Sequence, residues 1–176
     1  MTAKGRPIDL WDRGGLDLGS WGELKVVDFR HLGIVQNGRT REIEVGDLFE
    51  VDTALVGWFV EDTGLAVLAT STGPSVARLD LTLDEYTRLT TLARDRAHDM
   101  AFMRVVPANE YLIAYYELGL VCLDSACWIK WQAEYNDPVP EYLGAHDGQV
   151  WFGTQLPGGE DYRRSYRLLD GKQLTG

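Results

Sequence analysis

Apolar residues along this chain come in short runs set apart by glycine, proline, asparagine and aspartate, a rhythm that predicts short strands joined by turns. Leu24-Lys25-Val26-Val27-Asp28-Phe29 is rich in β-branched residues, so ordered strands are expected from about Glu23 onward. Ile34-Val35 leads into Gln36-Asn37-Gly38-Arg39, whose Asn-Gly pair suits the positive φ angles of a tight hairpin. The apolar runs 54–60 and 65–69 flank Glu61-Asp62-Thr63-Gly64 and read as a buried hairpin. Thr72-Gly73-Pro74-Ser75 breaks the chain before a further strand, Val76-Ala77-Arg78-Leu79-Asp80-Leu81. Beyond residue 101, strands are expected over 102–106, 111–116, 118–123, 128–135, 149–154 and 162–169. The turn signals between them include Pro107-Ala108-Asn109, Asp137-Pro138, Asp147-Gly148 and Pro157-Gly158-Gly159. Strands at this pitch point to antiparallel meanders and away from parallel βαβ units.

One segment has a different period. Thr82-Leu83-Asp84-Glu85 has the form of a capping box, and Tyr86, Leu89, Ala93, Ala97 and Met100 follow at intervals of three or four. The spacing predicts a helix over 83–97 with its Leu89 and Ala93 face on a sheet. Residues 1–22, rich in Gly, Asp and Arg, are expected to form an irregular N-terminal arm held by Trp11 and Trp21, ahead of a single β-rich domain over 23–176. A chain of 176 residues fits one such unit.

A faint repeat runs through the strands. Leu79-Asp80, Leu123-Asp124 and Leu169-Asp170 recur 44 and 46 residues apart, each some way after an apolar strand; Val27-Asp28 is a degenerate earlier copy at most. Equal places in the repeat predict inward positions for both Leu123 and Leu169. The stretch from Tyr111 through Gly119 to Leu123-Asp124, with Lys130-Trp131 beyond, resembles a blade of the quinoprotein-type (PQQ-like) β-propellers. Asp147-Gly148-Gln149-Val150-Trp151-Phe152 followed by Tyr166-Arg167-Leu168-Leu169-Asp170-Gly171-Lys172 resembles the next blade. The resemblance covers residues 109–176 and implies sheet geometry; no quinone binding is taken from it. Ser125-Ala126-Cys127 departs from it where that family carries a turn glycine. The expected fold is thus mainly β: antiparallel meanders in a truncated propeller-like stack or a sandwich, with the one helix near 83–97. The alternative is α+β.

Charge narrows the function. Seventeen basic against 27 acidic residues give −10, a field that opposes a phosphate backbone and favours encounter with a basic protein, so a protein partner is expected and nucleic acid is not. The N-terminal residues lack a signal-peptide core and no run approaches the roughly 18 apolar residues of a spanning helix, so the expectation is cytoplasmic, with no membrane partner. Cys122 and Cys127 read there as small buried hydrophobes. No motif fixes an oligomeric state.

Chemistry-bearing motifs are missing. His31, His98 and His146 have no metal-ligand spacing, Gly14-Gly15-Leu16-Asp17-Leu18-Gly19 lacks the features of a phosphate loop, and no nucleophile elbow occurs. No cofactor or metal is expected. Aromatic residues are concentrated in the last third, where Trp128, Trp131, Trp151, Tyr135 and Tyr142 are the candidate binding residues. Three functions stay open. One is a non-catalytic protein-binding module, for instance an immunity- or inhibitor-type protein sequestering a basic partner. Another is an enzyme whose site assembles from dispersed residues around His146, with Asp147, Glu134 and Cys127. The third is a structural subunit of a larger assembly.

Overall fold

Asn37 and Gly38 both adopt positive φ (52° and 72°), as do Asp147 and Gly148 (53° and 71°), so two Asn/Asp-Gly pairs make the tight hairpin turns their sequence predicts. The computed structural model describes residues 4–10, 14–46, 55–70, 75–91, 102–116, 119–134, 141–155 and 161–175. Through them run β1 (Gly5–Leu10), β2 (Gly15–Asp17), a 3-10 turn (Gly19–Trp21), β3 (Glu23–Asp28), β4 (His31–Gln36), β5 (Arg39–Glu44), β6 (Leu55–Val60), β7 (Leu65–Thr70), β8 (Ser75–Asp80) and β9 (Glu85–Thr91). Then follow β10 (Phe102–Ala108), β11 (Tyr111–Tyr116), β12 (Gly119–Leu123), β13 (Ile129–Glu134), β14 (Glu141–His146), β15 (Gln149–Gln155), β16 (Asp161–Arg167) and β17 (Gln173–Thr175). They make four open antiparallel sheets: β2-β3-β4-β5, β1-β6-β7-β8-β9, β10-β11-β12-β13 and β14-β15-β16-β17.

The sheets stack in that order because the middle ones are apolar on both faces. On β7, Ala66 and Leu68 enter a first layer with Leu24, Leu32, Ile34 and Ile43 of the first sheet. Val67 and Ala69 of the same strand enter a second layer with Leu112, Ala114 and Val121 of the third sheet. The other face of that third sheet, with Ile113, Tyr115, Leu120 and Cys122, makes a third layer with Val150, Phe152 and Tyr166 of the fourth. Strands buried on both faces lose the apolar-polar alternation, which is why β7 and β11 read as continuous runs.

Several expectations are corrected. Residues 85–91 of the expected helix are strand β9, hydrogen-bonded to β8; residues 92–97, with Ala93, lie outside the described residues. Thr82 serves no capping box. Its amide and hydroxyl donate to Asp80 Oδ1 (2.9 and 2.6 Å) in a turn that Asp84 completes at φ 56°, and Thr87, Thr90 and Thr91 then favour the extended chain. Leu89 still packs on apolar neighbours, partly buried in the second layer. Within the expected irregular arm, Gly5–Leu10 is instead a strand, β1, paired with β6. Pro7 suits that edge position because it has no amide to give a further strand. Trp21 is an anchor as expected, and Trp11 lies outside the described residues.

The repeat holds in two copies and slips in the third. Leu79 faces Ala66 and Leu123 faces Leu112, and both leucines are buried toward the preceding sheet. Tyr166, opposite Val150, holds that place in the fourth sheet; Leu169 falls in the turn and is 64% exposed. Asp80 and Asp124 share a task, accepting turn amides (Thr82 N at 2.9 Å, Ala126 N at 3.0 Å). Asp28 does likewise for Arg30 N (2.7 Å), but one turn earlier in its sheet, so it is no copy of the repeat.

Neighbouring sheets are also joined through their turns. Trp21 Nε1 donates to Glu61 O (2.9 Å) with its ring against Gly64, and Trp131 Nε1 donates to Leu168 O (2.8 Å) with its ring against Gly171. Gly38 and Gly171 share φ 72°, yet a Cβ on Gly38 meets nothing within 4 Å while one on Gly171 lies 2.5 Å from the Trp131 indole. Gly38→Ala should therefore cost about 1–2 kcal/mol for the left-handed backbone alone. Gly171→Ala should cost clearly more in urea denaturation, and equal losses would show that Trp131 does not bind this turn.

Candidate functional site

In an antiparallel meander the first and third turns lie at the same end, which brings together turns 61–64 and 81–84 of the second sheet, 109–110 and 124–128 of the third, and 147–148 and 168–172 of the fourth. Bonds into and between turns fix this rim: Arg78 Nε of β8 donates to Ala126 O (3.0 Å), Leu81 N to Gly64 O (3.0 Å) and Leu168 N to Gly148 O (2.9 Å). Its turns carry Glu61, Asp62, Asp84, Glu110, Asp124, Asp147 and Asp170 against the single Lys172. Arg6, Arg41 and Arg167 pair with Glu61, Asp84 and Asp170. Desolvation, then the Glu110 carboxylate, pushes the Tyr111 hydroxyl above its usual 10.0, and Asp124 adds to the effect.

Within this acidic rim three large apolar side chains face solvent: Leu83 (63% exposed), Trp128 (46%) and Leu169 (64%). Each belongs to the turn after the third strand of its meander, in three successive sheets. Trp128 is held firmly. Its amide donates to Asp124 Oδ1 (2.9 Å) and its carbonyl accepts from Asp124 N (2.9 Å), while the adjoining Cys127, at φ 63°, is buried in the second layer. Over the indole lies the Arg78 guanidinium, 5.1 Å from the ring centroid, itself paired with Asp80 Oδ2 at 2.9 Å. Burial pulls the Asp80 carboxyl up, but its hydrogen bonds from Thr82 and the Arg78 charge outweigh this and hold it below its usual 3.8.

The other candidate residues are placed differently. Trp131 lies between the third and fourth sheets, stacked on Tyr166 (6.3 Å). Tyr142 packs in the same layer against Tyr115 and Phe152 and donates to Pro107 O (3.3 Å). Trp151 sits on the fourth sheet, stacked on His146 (5.4 Å, 12°), its Nε1 buried with no partner among the described residues. Tyr135 lies outside the described residues. A bulge skips Lys130 in the β12–β13 register, so Ile129 enters the second layer, Trp131 the third, and Lys130 lies over Tyr111.

The four dispersed residues of the enzyme reading do not converge. His146 is an exposed partner of Asp147 (Nδ1 to Oδ2, 3.3 Å), Glu134 ends β13 in solvent, and Cys127 is in the second layer. Burial pushes the thiols of Cys122 and Cys127 from 9.0 up to about 12, which removes the thiolate that nucleophilic chemistry needs. Among the described residues no three His, Cys, Asp or Glu side chains are grouped to hold a metal ion, and no helix is long and apolar enough to cross a membrane. No protein-family model matches the chain, and no curated protein matches it.

Sequence reasoning did not single out Leu83 or Arg78 for the site, and it expected Leu169 to face inward. The signal for the two leucines is the turn after each third strand, whose outward positions escape the layers; Arg78 lies in β8 and has no such signal.

Both thiols should resist iodoacetamide at pH 8 in the folded protein and react on unfolding, and labelling of either in the native state would contradict its burial. For Asp80 the folded value is depressed, so its stabilisation is present above 3.8 and lost as pH falls through the folded value. Asp80→Ala should cost about 1.5–3 kcal/mol at pH 7, and the gap from the unmodified protein should close in acid.

Proposed function

We propose that the protein is a non-catalytic protein-binding module, of immunity or inhibitor type, whose contact surface is the acidic rim centred on Trp128. The observation that carries this reading is a large aromatic ring left in solvent on a turn fixed by Asp124, Cys127 and Arg78. Tryptophans dominate interface energies, and a contact already held rigid loses little further entropy on binding. Carboxylates around the ring speed encounter with a basic partner and disfavour acidic ones. Two buried free thiols fit a reducing, cytoplasmic setting. The likeness of residues 109–176 to quinoprotein-type blades belongs to the same proposal at the level of sheet geometry, with blade turns presented as a contact surface.

A photo-crosslinking side chain at Ser125, exposed in the same turn as Trp128, should capture a discrete protein in extracts of the native cell, well above the same group at Thr40 on β5 of the first sheet. The captured protein, once purified, should bind at least about 30-fold more weakly to Trp128→Ala, the size of a hot-spot loss of about 2 kcal/mol. Folding stability should change by no more than about 1 kcal/mol, the worth of an exposed cation–π contact. Equal capture at both positions, or unchanged affinity, would overturn the proposal.

A further inference from the structure

We infer that the rim takes an extended, basic peptide segment of the partner, in the polyproline II conformation and with apolar side chains three residues apart. This rests on the reading of the rim as the contact surface.

Spacing comes first. Leu83, Trp128 and Leu169 occupy the corresponding turn of three successive stacked sheets, and packed sheets lie about 10 Å apart. A polyproline II segment has three residues per turn and rises about 3.1 Å per residue, so positions i, i+3 and i+6 look the same way about 9 Å apart. A β-strand sends i and i+3 to opposite faces, and an α-helix returns to one face every 5.4 Å or so. Of these three regular backbones, polyproline II meets the sheet spacing at every turn, whereas an α-helix meets it only at every second turn, i to i+7, at about 10.5 Å.

Charge comes second. On the same rim lie Asp62, Glu110 and Asp147 of the first turns, beside the apolar row, and Asp124 within the Trp128 turn, so lysine or arginine on the peptide meets carboxylate. The same field rejects a second copy of this chain, which carries −10, and it rejects a nucleic acid. Third is the shape of the central group. Arg78 covers part of the Trp128 surface, and the exposed remainder is a rigid aromatic platform, the kind of surface on which a pre-ordered polyproline II segment docks at low entropic cost.

A random peptide display library panned on the full chain, with Trp128→Ala as counter-target, tests the inference. Enriched peptides should be net positive, with apolar residues three apart and proline between them. A synthetic representative should lose at least about 30-fold in affinity on Trp128→Ala. Leu83→Ser and Leu169→Ser should each weaken it severalfold, and association should slow as salt rises past the roughly 8 Å screening length of 0.15 M. Enriched peptides without charge or register, or with binding indifferent to Trp128→Ala, overturn the inference. So does sedimentation of the protein alone as a dimer that Trp128→Ala dissolves, since the occupant is then a second copy. If the display fails while crosslinking at position 125 succeeds, the peptide class is wrong and the rim stands. If both fail, the rim reading falls as well.

Discussion

A four-stranded meander with apolar side chains on both faces cannot stand alone, and that constraint organises the whole molecule. Burying one face of β7 on the first sheet leaves Val67 and Ala69 on the other, and burying those on the third sheet leaves Ile113 and Tyr115 of β11 for the fourth. Each layer creates the need for the next, as in other stacked-repeat proteins. The series can end only where a sheet turns polar outward. On β5 of the first sheet Ile43 is buried while Glu42 and Glu44 on either side are exposed, so that this sheet gives carboxylates to water on its outer face.

Stacking alone leaves the sheets free to slide, because apolar contact is non-directional. Directional bonds at the turns remove that freedom. Indole donors of Trp21 and Trp131, and the guanidiniums of Arg41 and Arg78, all reach backbone carbonyls in the turn of the following sheet. Leu81, Cys127 and Leu168 anchor those turns from within, each entering the layer shared with the preceding sheet. The rim is therefore rigid for structural reasons. What it presents outward, Leu83, Trp128 and Leu169, inherits that rigidity without any further device.

Much of this was legible in the sequence because it is local. The Asn-Gly hairpin, the buried pair β6–β7 and most strands of the last two sheets follow from turn chemistry and short apolar runs. What failed depended on pairing with strands outside the segment itself. Gly5–Leu10 is a strand only because β6, some fifty residues on, offers an edge, and the three-to-four spacing after Thr82 outweighed its threonines only until β8 supplied hydrogen bonds. Leu169 was misplaced because the fourth sheet puts Tyr166-Arg167 where the others have Leu-Asp. At the site, aromatic identity was legible and exposure was not. A bulge at Lys130 and the bond from Trp131 to Leu168 decide which ring is buried, and neither has a pattern in the sequence.

The acidity of the chain divides between two tasks. Asp80, Asp124 and Asp170 spend their oxygens on turn amides, so these carboxylates belong to the fold before they belong to any partner. Asp80 is further neutralised by Arg78 and Asp170 by Arg167. Asp124 has no such ion pair with a cation among its described hydrogen bonds, so beside Trp128 a carboxylate that fixes the turn also keeps its charge. A neutral hydroxyl there could accept the same amides and supply no field, whereas a carboxylate without the turn would supply a field and no fixed ring. Aspartate at this position does both, and that coupling of turn geometry to local charge makes the Trp128 turn, among the three that carry exposed apolar groups, the centre of the rim.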